Sequence, residues 1–341
     1  MFFGDFMLFV VFTVVITLAV AFVNGWTDAP NAIASCVSTR TLNLRTAVII
    51  AAAADFAGAL TVGLSSGKVS QTVMNIADFG EDKSKAVIAL CSAMISVVIW
   101  AVSAWRFGIP TSESHALIAG LTGASVAVNN GFTGINHDEW SKVFSGLFLS
   151  TFLGFFSGYA VSKLTVKLFR RTEKTKSDVL FRGSQIFSSV LMAFMHGAQD
   201  SQKFAGILAV VFSLSDYKFS LSESFTLMIL ISSAAIALGT ATGGGRIIKA
   251  VGMDMVKLRR DQGFSADLSG AVCLLVSTLL GLPVSTTHTK TSAVMGVGVA
   301  KSVKSVEWSV AGEMVAAWLF TFPGCGLIGW AVTCVLLKLF I

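Results

Sequence analysis

Charge is scarce in this chain. Only 13% of its 341 residues are Asp, Glu, Lys or Arg, against about a quarter in soluble domains. With 54% hydrophobic residues and a mean hydropathy of +0.76, that scarcity excludes an ordinary soluble domain. The first residues, MFFGDF, lack a basic leader and a small-residue cleavage site, so the first apolar run is expected to be a retained helix. The five cysteines (Cys36, Cys91, Cys273, Cys325, Cys334) show no metal-ligand spacing and read as small buried hydrophobes. No nucleophile-elbow or metalloprotease pattern is present, which argues against an enzyme. The net charge of +6 needs no nucleic-acid partner, because cytoplasmic loops of membrane proteins are rich in Lys and Arg.

What is present is a series of apolar runs of spanning length. They fall at roughly 7–39, 46–66, 86–105, 110–129, 143–169, 184–213, 224–243, 265–281, 283–300 and 309–340. The expected fold is an all-α polytopic membrane protein of about ten segments. Two repeats, 1–169 and 184–341, flank a basic cytoplasmic linker at 170–183, which is also a candidate contact for anionic lipid head groups. With the N-terminus placed outside, the cytoplasmic loops hold 17 of the 25 Lys and Arg residues and the outer segments 6. That bias favours both termini outside the cell membrane. Five crossings per half then make the two repeats inverted.

Two pairs of polar motifs interrupt the apolar sequence at matching points of the halves. GIPTSESH at 108–115 matches GLPVSTTH at 281–288, and NGWTDAPNAIA at 24–34 matches HGAQDSQKFAG at 196–206. Paired interruptions of this kind mark the site of a transporter built from duplicated halves. The Asp-bearing motifs read as breaks in long helices. Thr27 and Asn31 surround Asp28, while Gln199, Ser201 and Gln202 surround Asp200. Such an oxygen-only set suits a hard cation, with Asp28, Asp200, Asn31, Thr27 and Gln202 as candidate ligands. Pro30 and the glycines would free backbone carbonyls for it.

The Pro-Ser motifs read as helix starts with proline in the first turn and Ser112 and Ser285 as N-caps. A helix that begins at depth points free N–H groups and a partial positive charge at an anion. Thr111, Ser112, Ser114, Ser285, Thr286 and Thr287 add neutral donors for a tetrahedral oxyanion, and Gln199 is counted with them. Carboxylates beside a multiply charged anion repel it, so cation and anion are expected to bind together. His115, His196 and His288 read as structural histidines with proton coupling as the alternative. Lys203 and Lys290 neutralise an Asp, touch the anion or snorkel. Glu113 is expected protonated, paired with a group such as Arg106, or turned away, and no role is assigned to Asp55, Asp267 or Glu313.

At these four motifs the chain resembles the inorganic phosphate transporter family. The resemblance implies uptake of an oxyanion, usually phosphate, coupled to Na⁺ or H⁺ by alternating access, no cofactor besides that ion, and a homodimer. It also implies cation ligands at Asp28, Asn31 and Asp200, and anion ligands among Ser112, Ser114, Ser285, Thr286 and Thr287. Thr27 and Glu113 depart from the family's usual residues, which leaves sulfate as the alternative substrate and an anion channel as the rival outside the class.

Overall fold

A computed structural model describes residues 3–107, 111–215, 221–242, 248–249 and 255–341. The described residues are helical, with two isolated bridges, Ala77 to Ile135 and Val256 to Val306. The helices are α1 (Phe3–Thr27), α2 (Pro30–Ser38), α3 (Leu44–Gly58), α4 (Leu64–Ser66), α5 (Lys68–Met74), α6 (Lys83–Phe107), α7 (Glu113–Val128) and α8 (His137–Phe169). They continue with α9 (Lys174–Leu214), α10 (Leu221–Thr242), α11 (Arg260–Leu279), α12 (Thr286–Lys301) and α13 (Trp308–Phe340). A π-turn over Ala59–Gly63 joins α3 to α4.

Seven helical stretches among the described residues are long and apolar enough to cross a membrane: Phe6–Ser38, Leu44–Ser66, Lys83–Ala104, His137–Phe169, Ser224–Thr242, Arg260–Leu279 and Trp308–Phe340. The ten expected segments therefore reduce to seven by this measure. The other three are accounted for by α7, α9 and α12. At 16 residues each, α7 and α12 reach about 24 Å, short of a ~30 Å hydrocarbon core. α9 is long enough at 41 residues, but its polar motif and basic first turns dilute its apolar character.

Two further expectations need correction. The second Asp-bearing motif does not break its helix: α9 runs unbroken through Asp200. The first does break, since α1 ends at Thr27 and α2 restarts at Pro30. The cause is one residue. Proline has no N–H to continue the ladder and clashes with the preceding turn, whereas the matching position in α9 is Gln202, which extends the helix. The stretch 170–183 is also not a loop throughout, because α9 starts at Lys174.

Packing follows a reciprocal scheme. α1 packs on α10 and α9 on α3; α7 packs on α13 and α12 on α8. The close crossings are made by glycines. A methyl on Gly25 would lie 2.0 Å from the Ile236 carbonyl oxygen, and one on Gly197 2.0 Å from that of Asp55. These are the glycines of the two Asp-bearing motifs, and each lets its helix meet a helix of the other half. Two apolar clusters flank the centre. One gathers residues of α2, α3, α9, α11 and α12; the other gathers residues of α1, α6, α7 and α9. α9 belongs to both. Outward faces are apolar as well, such as the exposed ladder Phe144, Phe148, Phe152 and Phe156 on α8, which suits contact with lipid.

Candidate functional site

Ser112 and Ser285 cap their helices in the same way. Each takes an extended backbone and accepts the N–H three residues on, from His115 and His288, at 3.2 Å in both. That satisfies one of the four N–H groups that a helix start leaves without an intrahelical partner. Pro283 lies two residues ahead of its cap rather than in the first turn. Pro110, with Gly108 and Ile109, falls outside the described residues. Gly281, which opens the second Pro-Ser motif, turns the chain away from α11 at φ +72°, a left-handed conformation that glycine adopts without strain. The two first turns come together: the rings of His115 and His288 meet edge to face with centroids 4.5 Å apart. His115 also stacks on Phe322 and His288 packs on Trp318. Their ring nitrogens have no partner among the described residues.

The Asp-bearing motifs reach the same place. Asn24 donates its amide to Asp28 (3.3 Å) and to Asp200 (3.0 Å), so one side chain ties the two carboxylates together. Thr287 donates to Asp28, and Asn31 donates to the Thr287 hydroxyl at 2.9 Å. Thr27 donates to Glu113 at 2.6 Å, and Glu113 lies beside Asp28. Neighbouring carboxylates repel unless a proton or a cation offsets the charge. Lys203 donates to Asp200 (2.6 Å), to Ser114 (2.5 Å) and to the Val284 carbonyl (2.8 Å). All four motifs thus converge on one buried polar centre.

Most of the residues singled out by sequence take part. Thr27, Asp28, Asn31, Asp200, Ser114 and Thr287 are linked directly, and Thr111 and Thr286 are buried on the two Pro-Ser motifs. Gln202 does not take part. Its amide donates to the Ala198 carbonyl and its oxygen accepts the Val69 N–H, so it fastens α9 to α5. The continuous helix turns it to that side, away from Asp200. Gln199 bonds Thr278 and the Leu282 carbonyl, which anchors the approach to the second Pro-Ser motif.

Sequence reasoning missed Asn24, the amide between the two aspartates. The signal was available, since Asn24 occupies in its motif the place of His196 in the other. It also left Asp55 and Asp267 without roles. His196 is 3.0 Å from Asp55 and 3.6 Å from Asp200, and Thr240 donates to Asp55 at 2.7 Å. Asp267 takes Lys290, Ser35 and Ser189 as partners and so ties α11 to α12, α2 and α9. Glu313 is exposed on α13.

The electrostatics are lopsided. Asp28, Asp200, Glu113 and Asp55 are all buried in or beside the centre, with Lys203 as its one lysine among the described residues. Like charges about 4 Å apart repel by about 4 kcal/mol at an effective dielectric of 20. Three acceptor oxygens, Asn24 Oδ1, Asn31 Oδ1 and Glu113 Oε2, have no donor among the described residues. Surplus acceptors around carboxylates suit hard cations. Among the described residues no group of three or more His, Cys, Asp or Glu side chains is placed to hold a metal ion.

A helical membrane bundle with polar interruptions meeting at a buried centre defines a transporter-type protein. The chain belongs to the phosphate transporter family, whose model matches residues 24–329. It is a transport protein rather than an enzyme. It is 35% identical over 316 residues to a Bacillus subtilis protein named "Probable low-affinity inorganic phosphate transporter", covering 93% of both chains. A Rhizobium meliloti protein of the same name is 38% identical over 315 residues, covering 92% of both. A solved structure titled "The sodium-dependent phosphate transporter" superposes with a TM-score of 0.78, covering 98% of this chain and all of that one at 24% identity. That likeness concerns the fold. None of these proteins is named for sulfate.

Proposed function

We propose that this chain imports inorganic phosphate by symport with a cation, Na⁺ or H⁺, through alternating access of two inverted halves. The observation that carries the reading is the meeting of four motifs, two from each half, at one centre. Asp28 and Asp200 with Thr287, Asn31 and Asn24 form its acceptor-rich part. The capped starts of α7 and α12, with Ser114 and Thr286, form its donor part. A phosphate ion placed there faces free N–H groups in front and carboxylates at the side. Bound cations turn that repulsion into attraction, so anion affinity depends on cation occupancy. Phosphate retains at least one proton at neutral pH and can donate to a carboxylate; sulfate cannot. The carboxylate-rich surround therefore favours phosphate, in keeping with the names of the relatives.

Inverted halves are supported by the reciprocal packing, in which each motif glycine opens a crossing onto the opposite half, and by the Lys and Arg bias. On that bias both termini lie outside a cell membrane. Assembly as a homodimer in contact with membrane lipids follows the family resemblance. The reading is tested by uptake of labelled phosphate and sulfate into proteoliposomes, with Na⁺ and proton gradients imposed separately. Saturable phosphate uptake driven by one of the gradients is expected, with sulfate excluded. Passive, non-saturable flux insensitive to both gradients would indicate a channel and overturn symport.

A further inference from the structure

Lys203 breaks the duplication at the site. Set against each other, the motifs pair Asn24 with His196, Gly25 with Gly197, Asp28 with Asp200 and Asn31 with Lys203, while the Pro-Ser motifs pair Ser114 with Thr287. In the first half, Asn31 meets the hydroxyl of Thr287, and that hydroxyl bonds Asp28. In the second half, Lys203 meets the hydroxyl of Ser114 and bonds Asp200. The two arrangements match: an aspartate of one half, a hydroxyl of the other half's Pro-Ser motif, and the residue three positions after the aspartate. Where the first half has a neutral amide, the second has a full positive charge.

The partners of that charge define its role. Around the Lys203 nitrogen stand a carboxylate oxygen at 2.6 Å, a hydroxyl oxygen at 2.5 Å and the Val284 carbonyl oxygen at 2.8 Å. These are the ligand types of a hard alkali cation. An ammonium has three donors, and here all three are spent on oxygens of the protein, so none is left for a phosphate oxygen. Lys203 is only 1% exposed, and with Asp200 it is one of two lysine–aspartate pairs buried in the core among the described residues.

We propose that Lys203 is a tethered cation: its ammonium holds, beside Asp200, the position that a coupling cation takes beside Asp28 in the other half. The chain then uses a dissociable cation in its first half alone. This inference rests on the cation-coupling reading and specifies which half does the coupling.

The test is the thermal unfolding midpoint of the purified full chain without phosphate, titrated with NaCl against choline chloride and, separately, with pH. Binding to the folded state raises the midpoint in proportion to site occupancy. The wild type is expected to respond to one cation, and D28N to lose that response. K203N, which restores the residue of the first half, is expected to gain a second cation response that D200N/K203N lacks. If K203N and K203Q titrate like the wild type but bind phosphate more weakly at every cation concentration, Lys203 is an anion ligand and the proposal falls. The D28N arm stands even if both lysine variants misfold: a cation response that survives in D28N and disappears in D28N/D200N would show a free ion at Asp200 and overturn it. A wild type indifferent to Na⁺ and pH would remove the coupling reading instead. A cation response gained by K203N would then still uphold the tethered charge, and its absence would sink both.

Discussion

Thr287 shows how much of the site rests on single side chains. Its hydroxyl donates to Asp28 and accepts from Asn31, joining the second Pro-Ser motif to the first Asp-bearing motif. Hydrogen bonds to charged groups contribute about 1.5–3 kcal/mol. T287A is therefore expected to weaken cation-dependent phosphate binding by roughly ten- to a hundredfold, with T287S close to wild type. D28N should lose cation dependence more completely, because it removes the charge itself. Both outcomes are read by titrating phosphate at fixed cation concentrations. The two cap serines make a separate, smaller contribution: S112A and S285A should each lower stability by about 1 kcal/mol, measured by chemical or thermal unfolding.

At the scale of elements, buried charge and glycine crossings hold the bundle. Lys290 on α12 and Asp267 on α11 pair in the core, where Ser35 of α2 and Ser189 of α9 also bond Asp267. Removing one partner strands the other, at about 3–5 kcal/mol. K290M should therefore unfold well below the wild type, while D267N/K290M recovers much of the loss. Gly197 is the second hinge of the packing. Its added methyl would meet the backbone of Asp55 on α3, pushing α3 from α9 and disturbing the Asp55–His196 contact. G197A is expected to reduce folded yield and uptake together, and G25A to do the same at α1 and α10.

The elements also show what the sequence could and could not reveal. The capped starts at Ser112 and Ser285 were legible because N-caps are local: side-chain type and the following three residues settle them. The break at Asp28 was legible through Pro30. The continuity of α9 was not legible from the glycine that both motifs share, because the residue that stops the ladder is the proline, and Gln202 stands in its place in α9. Gln202 was consequently assigned to the cation and instead fastens α5. Asn24 is marked in the sequence only by its place opposite His196, and its role shows once packing brings Asp28 and Asp200 to it from opposite halves. Contacts between residues more than 170 positions apart depend on packing that local pattern does not encode.

For the whole molecule, the reciprocal packing makes the site a joint product of both halves. α9 threads both apolar clusters and carries Asp200 and Lys203 between the starts of α7 and α12. On the proposed reading, movement of one half against the other rearranges the contacts that hold the ions, and cation and anion binding at one centre form a linked equilibrium, which is reciprocal. The account predicts that each ligand strengthens the other by the same factor and that this factor collapses when Asp28 is neutralised.

Calorimetric titration of phosphate into the purified protein, at stepped Na⁺ concentrations with choline keeping ionic strength constant and repeated across pH, examines that linkage directly. Phosphate affinity is predicted to climb with the coupling cation in the wild type and to be flat in D28N. Equal phosphate affinity with and without the cation at every pH would contradict a shared centre.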